Sequence, residues 1–193
     1  MYYIEKELKE LKMLQASFNK MNPIKNFLEI LIDENKNEDF SELVSDILKR
    51  AYKLKAYIES NRLFDSKYAK DLYHLLRDLR NAGEIDDNLL WLELQMAEKI
   101  QDYSIGLEIS TQLIARHPDD FQTLVYHIKV LRGLERVEEI KSYKQRINEF
   151  NLQKVSPYLV HVIVNIFISI LPGHQILIVQ TSNCTSINAT IRI

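Results

Sequence analysis

Apolar residues return in this chain at a spacing of about 34 residues, the length of one helix–turn–helix repeat. Leu90, Leu94, Ala97, Ile100, Tyr103, Gly106 and Leu113 come back one period later as Leu124, Ile128, Leu131, Leu134, Val137, Ile140 and Ile147. Every member of both sets is apolar or small. A two-helix unit of this size has too little partner surface to hide its apolar face, so it stacks on neighbours of the same kind. The fold class expected is therefore all-α: stacked antiparallel helical hairpins, an α-solenoid, followed by an apolar C-terminal tail. Only 4 Gly and 4 Pro occur in 193 residues, which favours helices over a many-stranded sheet.

Helix signals run along the whole first part. Ile4, Leu8, Leu11, Leu14 and Phe18 form one stripe on a helix expected over 2–21. Asn22-Pro23 is expected to end it and start a second helix carrying Phe27, Leu28, Ile30 and Leu31, with a polar loop over 33–39. Ser41 is expected to cap a third helix containing Ile47, Ala51, Leu54 and Ile58. A turn follows at 61–65, and Ser66 caps a fourth helix with Ala69, Leu72, Leu76 and Leu79, closed by Gly83 as its C′ residue. Further helices are expected over 87–101, 103–116, 120–133 and 136–150. The acid pairs Asp86-Asp87, Asp119-Asp120 and Glu138-Glu139 fall at helix starts, where they complement the positive end of the helix dipole.

The stretch Asp102-Tyr103 through Gly106 to Pro118 resembles the second half of a tetratricopeptide (TPR) repeat. That family places an aspartate and an aromatic at the inter-helix turn, a small residue three positions on, and a proline after the second helix. The likeness departs in the first half, where Leu90 stands at the usual tryptophan position, and in the next repeat, where Ile140 and Leu152 replace the small residue and the proline. Leu72, Leu75 and Leu79 precede Gly106, Ile109 and Leu113 by one further period, so the pattern covers roughly residues 45 to 150. The expected organisation is a helical hairpin over 1–40, TPR-like repeats over 41–153 and a tail over 154–193.

The resemblance implies that the first helix of each repeat lines a concave groove. On its register the groove face carries Asn88, Trp91, Gln95, Glu98 and Lys99 in one repeat and Gln122, Val125, Lys129 and Arg132 in the next. Trp91, Gln95, Glu98, Lys99, Lys129 and Arg132 are the partner-binding candidates. Aromatics and arginine dominate binding hot spots, and a cluster of Lys and Arg suits an acidic peptide or a terminal carboxylate. The bland alternatives are a Trp91 packed on a neighbouring helix and a solvated basic face. Leu92 and Tyr126 stand where a carboxylate clamp of this family would have asparagine, which argues against chaperone-tail recognition.

Other chemistry finds little support in the residues. The five histidines, His74, His117, His127, His161 and His174, have no metal-ligand spacing, and the lone Cys184 has no activating neighbour. No glycine-rich phosphate loop or nucleophile elbow occurs. No catalytic residue, metal or cofactor is expected. A net charge of -2 disfavours nucleic-acid binding. The N-terminus alternates charge from Glu5 onward without a signal-peptide core, so a cytoplasmic location is the default.

Composition breaks after Glu149: no Asp or Glu follows, and Tyr158 to Leu171 is nearly all apolar. Four readings stand for this tail. It is a buried helix capping the stack with a strand-like end, a membrane segment over 158–179, the first strand of an α/β domain near Ile176, or an extension foreign to the fold. They correspond to three functions: a noncatalytic adaptor, a tail-anchored adaptor, and the helical arm of a larger enzyme such as a transferase.

Overall fold

The computed structural model describes residues 2–28, 34–81, 86–150, 154–170, 177–183 and 186–192, with side chains over 2–19, 42–81, 86–150 and 154–170. The chain divides into two compact units, Met1–Ile100 and Gln101–Ile193. Both are built on helices, and a short β-hairpin follows at the C-terminal end.

In the first unit the leading stripe is buried as its spacing predicts: Ile4, Leu8, Leu11 and Phe18 lie in the core. They sit on α1 (Tyr2–Leu28), which runs on through Asn22-Pro23 instead of ending there. A proline inside a helix forfeits one backbone hydrogen bond and crowds the preceding turn, at about 3 kcal/mol, so it need not end a helix whose other turns are intact. The next helix, α2 (Glu34–Ser60), begins seven residues before the expected cap at Ser41 and absorbs most of the expected loop. Glu34 at its start suits the helix dipole, and Lys36 and Glu38 are good helix formers. Leu63 N–H closes on the Ile58 carbonyl at 2.9 Å around Arg62, whose φ is 55°. This six-to-one closure is a Schellman stop with a non-glycine residue in the left-handed position.

Ser66 caps α3 (Lys67–Asn81) as expected, its hydroxyl accepting from the Ala69 amide at 3.3 Å. The expected C′ residue Gly83 lies outside the described residues. Asp86 caps α4 (Asp87–Ile100), accepting from the amides of Asn88 at 2.7 Å and Leu89 at 3.3 Å. Helices α1 and α2 pack as one hairpin and α3 and α4 as another, and α1 also packs on α3 and α2 on α4. Leu54, Ile58, Leu72, Tyr73, Leu76, Leu89 and Met96 fill the shared core. A buried ion pair crosses the second hairpin: Arg80 Nε donates to Glu93 Oε2 at 2.8 Å, and Glu93 is fully buried.

The second unit starts with α5 (Tyr103–Arg116), capped by Asp102, and α6 (Phe121–Gly133), capped by Asp120 through the amides of Gln122 and Thr123. These two helices pack as a hairpin. Gly133, at the end of α6, lies so close to the ring of Tyr103 that a Cβ there would come within 2.5 Å of it. The single helix expected over 136–150 is two short ones, α7 (Val137–Ser142) and α8 (Lys144–Glu149), joined at Tyr143. Just before the joint the Ser142 hydroxyl donates back to the Glu139 carbonyl at 2.6 Å, the kind of local bond that competes with regular helix.

The apolar run of the tail forms α9 (Pro157–Ile170), with Pro157 in the favoured first helical position. It packs on α6 and buries Ile163, Val164, Ile166 and Phe167 in the core of the second unit. Among the described residues no helix is long and apolar enough to cross a membrane. Strands β1 (Leu177–Asn183) and β2 (Ser186–Arg192) then pair antiparallel, with Leu177 opposite Arg192 and Asn183 opposite Ser186. This is the strand-like end that one reading of the tail expected.

Candidate functional site

Helix α4 buries most of its circumference. Leu89, Leu90, Leu92, Glu93, Leu94, Met96 and Ala97 are all inaccessible. At 100° per residue they span an arc of about 200°, a little over half of the helix. The arc left over carries Trp91, Gln95, Glu98 and Lys99, each half-buried, beside an exposed Asn88. Four of the candidate binding residues therefore form one continuous strip along a helix whose other faces are closed. The strip is anchored from below and from the side. Lys99 Nζ stands 5.2 Å from the centre of the Phe64 ring and 3.7 Å from Glu98 Oε2, and the Tyr52 hydroxyl donates to the Asn88 carbonyl at 3.3 Å.

The other two candidates lie in the second unit, on α6. Lys129 is half-buried with its ammonium 4.7 Å from the centre of the Tyr126 ring, and Arg132 is exposed. With Gln122 and Tyr126 they share one arc of that helix. Val125, placed on the same groove face by its register, is instead fully buried in the core of the second unit. Three consecutive apolar positions, Leu124, Val125 and Tyr126, leave the sequence pattern unable to choose which one turns inward.

A polar network inside the second unit leaves no mark in residue spacing. His127 is 5% exposed. Its Nδ1 lies 2.9 Å from Ser110 Oγ on α5, and its Nε2 lies 3.1 Å from the Tyr143 hydroxyl at the α7–α8 joint. Ser110 Oγ in turn donates to the Leu107 carbonyl at 3.2 Å. One proton arrangement satisfies every group: Tyr143 donates to Nε2, Nδ1–H donates to Ser110, and Ser110 donates to Leu107. Burial lowers the His127 pKa to about 4; Glu139 pulls it back up, and Arg136 and Arg146 push it further down. A neutral imidazole thus ties α5, α6 and the α7–α8 joint together. Ser110 is fully buried, so the pairing is a structural clip rather than an activated nucleophile. The one sequence signal is a histidine next to the core position Ile128, which is too common to single out.

Among the described residues the other histidines form no cluster. His74 and His117 are exposed, and His161 is exposed with Nε2 2.9 Å from Asn165 Nδ2 one helical turn on. His174 and Cys184 lie outside the described residues. Among the described residues no group of three or more His, Cys, Asp or Glu is disposed to hold a metal ion. A hollow of about 660 Å³ lies beside α8, lined by Pro118, Asp119, Gln145, Arg146 and Phe150 among others. Its guanidinium is already committed, Arg146 donating to the Pro118 carbonyl. No protein-family model, curated protein or solved structure matches the chain.

Proposed function

We propose that this chain is a noncatalytic protein- or peptide-binding module, an adaptor or scaffold of TPR-like helical hairpins working in the cytoplasm. The observation that carries the reading is the α4 strip. Trp91, Gln95, Glu98 and Lys99, chosen from the repeat register alone, coincide with the arc of α4 that the core leaves open. A rigid helix with one open arc presents side chains at low entropic cost, which favours docking. The tryptophan supplies apolar area, and Gln95 and Lys99 supply polar groups one turn apart. On α6, Lys129 and Arg132 add positive charge on a second exposed arc, which suits a partner of acidic character.

The test is capture from the native host with mass-spectrometric identification, using the full chain and two variants. Trp91→Ala and the pair Lys129→Glu with Arg132→Glu should each lower recovery of the specific partner several-fold while helical circular dichroism is unchanged. Recovery equal to the parent by both variants would overturn the assignment of these faces.

A further inference from the structure

A second surface lies where the two hairpins of the first unit meet, between α1 and α3. Residues Glu5, Leu8, Lys9, Lys12, Met13 and Ala16 of α1 face Lys67, Tyr68 and Asp71 of α3 across a groove of about 470 Å³. The α1 positions follow a three-and-four spacing through three turns, so the groove is a straight strip about 16 Å long at 1.5 Å per residue. Its floor is apolar, and it is not closed. Met13 is 58% exposed although it belongs to a helix whose buried stripe, Ile4, Leu8, Leu11 and Phe18, is complete without it. Ala16 is exposed beside it and, being small, allows a backbone to come close.

The charges on the rims are not balanced. The two acids are engaged within the groove wall: the Tyr68 hydroxyl donates to Glu5 Oε1 at 3.3 Å, and Asp71 Oδ2 lies 3.6 Å from Lys12 Nζ. Lys9 on the α1 rim and Lys67 at the start of α3 add two exposed ammonium groups, so the lining holds three lysines against two acids. An occupant that matches this strip offers apolar side chains at i, i+3, i+4 and i+7 to Leu8, Met13 and Tyr68, and carboxylates at its flanks to Lys9 and Lys67. Methionine suits such a role because its unbranched side chain re-packs around what it meets.

We propose that the α1–α3 groove docks a short acidic amphipathic helix of a partner protein, about three turns long. This surface is separate from the α4 strip, so either assignment can fail without the other.

The test is selection of peptides from a displayed library of 14-residue sequences on the full chain, followed by fluorescence anisotropy with the selected peptides. The expected result is enrichment of sequences with apolar residues at helical spacing and flanking Asp or Glu. Met13→Asp and, separately, Lys9→Glu with Lys67→Glu should weaken binding at least tenfold, and added salt should weaken the parent more than the lysine variant. Lys53→Glu, on the exposed side of α2, should bind as the parent does. Both groove variants change exposed side chains, and circular dichroism checks that each folds. Selection of no acidic amphipathic sequence overturns the proposal. So does binding of selected peptides that neither variant weakens, and so does binding only to phosphatidylserine vesicles, which would make the strip a lipid-facing surface.

Discussion

His127 is the residue whose environment has the clearest consequence. Its pKa in the folded chain is lowered to about 4 by burial, against 6.5 for an ordinary histidine. Between those values the unfolded chain takes up a proton that the folded chain does not, so stability falls as pH drops. Above pH 6.5 both states are neutral and nothing is lost. From there down to pH 4 the loss runs at about 1.4 kcal/mol per pH unit, to a total of about 3 kcal/mol. Urea unfolding followed by circular dichroism at pH 7.0, 5.5 and 4.5 checks it; a His127→Gln variant, which cannot titrate, should show a flatter pH dependence. A second prediction at this scale concerns Glu135, which holds φ at 58° where α6 ends. Arg136 N–H closes on the Leu131 carbonyl at 2.9 Å around it, so the left-handed conformation is fixed by the helix stop. Glu135→Gly removes the Cβ penalty and should raise stability by about 1 kcal/mol. Neither feature could be read from sequence. Among the described residues Arg62, Gln101 and Glu135 hold left-handed conformations without being glycine, and the His127 clip depends on Ser110 and Tyr143, each about 16 residues away in opposite directions along the chain.

Elements were more legible, because a helix announces itself through neighbours three and four apart. The Ser66, Asp86, Asp102 and Asp120 caps and the turn after Ile58 stand where their residue types put them. The misreadings have local causes. Asn22-Pro23 reads as a stop, yet α1 continues through it, and a polar segment that reads as a loop forms the start of α2 although it mixes good helix formers with Asn and Asp. The segment 136–150 has helical periodicity throughout, but a joint at Tyr143 leaves no trace in spacing. The tail illustrates the opposite limit. Its apolar run suits a capping helix and, if extended to Val179, a membrane segment, since both need a helix without charge. What separates them is a partner for its inner face, and α6 supplies it. Phe167 of α9 is fully buried in that contact. Phe167→Ala should therefore destabilise the second unit by about 3–5 kcal/mol, read as a lower urea midpoint of the full chain. A change below 1 kcal/mol would mean that α9 does not hold this unit together.

For the molecule as a whole, the period of the apolar pattern pointed to helical hairpins but not to how they are grouped. The two helices of the most TPR-like stretch, α4 and α5, belong to different compact units. The strongest pairings are α1 with α2, α3 with α4, and α5 with α6. Periodicity reports which side of a helix is apolar, whereas grouping depends on which apolar sides fit each other, and that is settled by shape across long sequence separations. The candidate strip on α4 is compatible with this difference because its four residues stand on one helix. Met13 lies off the apolar stripe that spacing defines, so its exposure was legible, but the α1–α3 groove beside it depends on where α3 packs.

The central claim is that the open arc of α4 meets a partner. The most direct measurement places a photoreactive benzoylphenylalanine at Gln95, and separately at Lys53 as an exposed control, in the full chain expressed in its native host. Irradiation should join position 95 to one discrete protein species that is absent at position 53, and Trp91→Ala should reduce that product several-fold. The same products at both positions, or no product at position 95, would contradict the account.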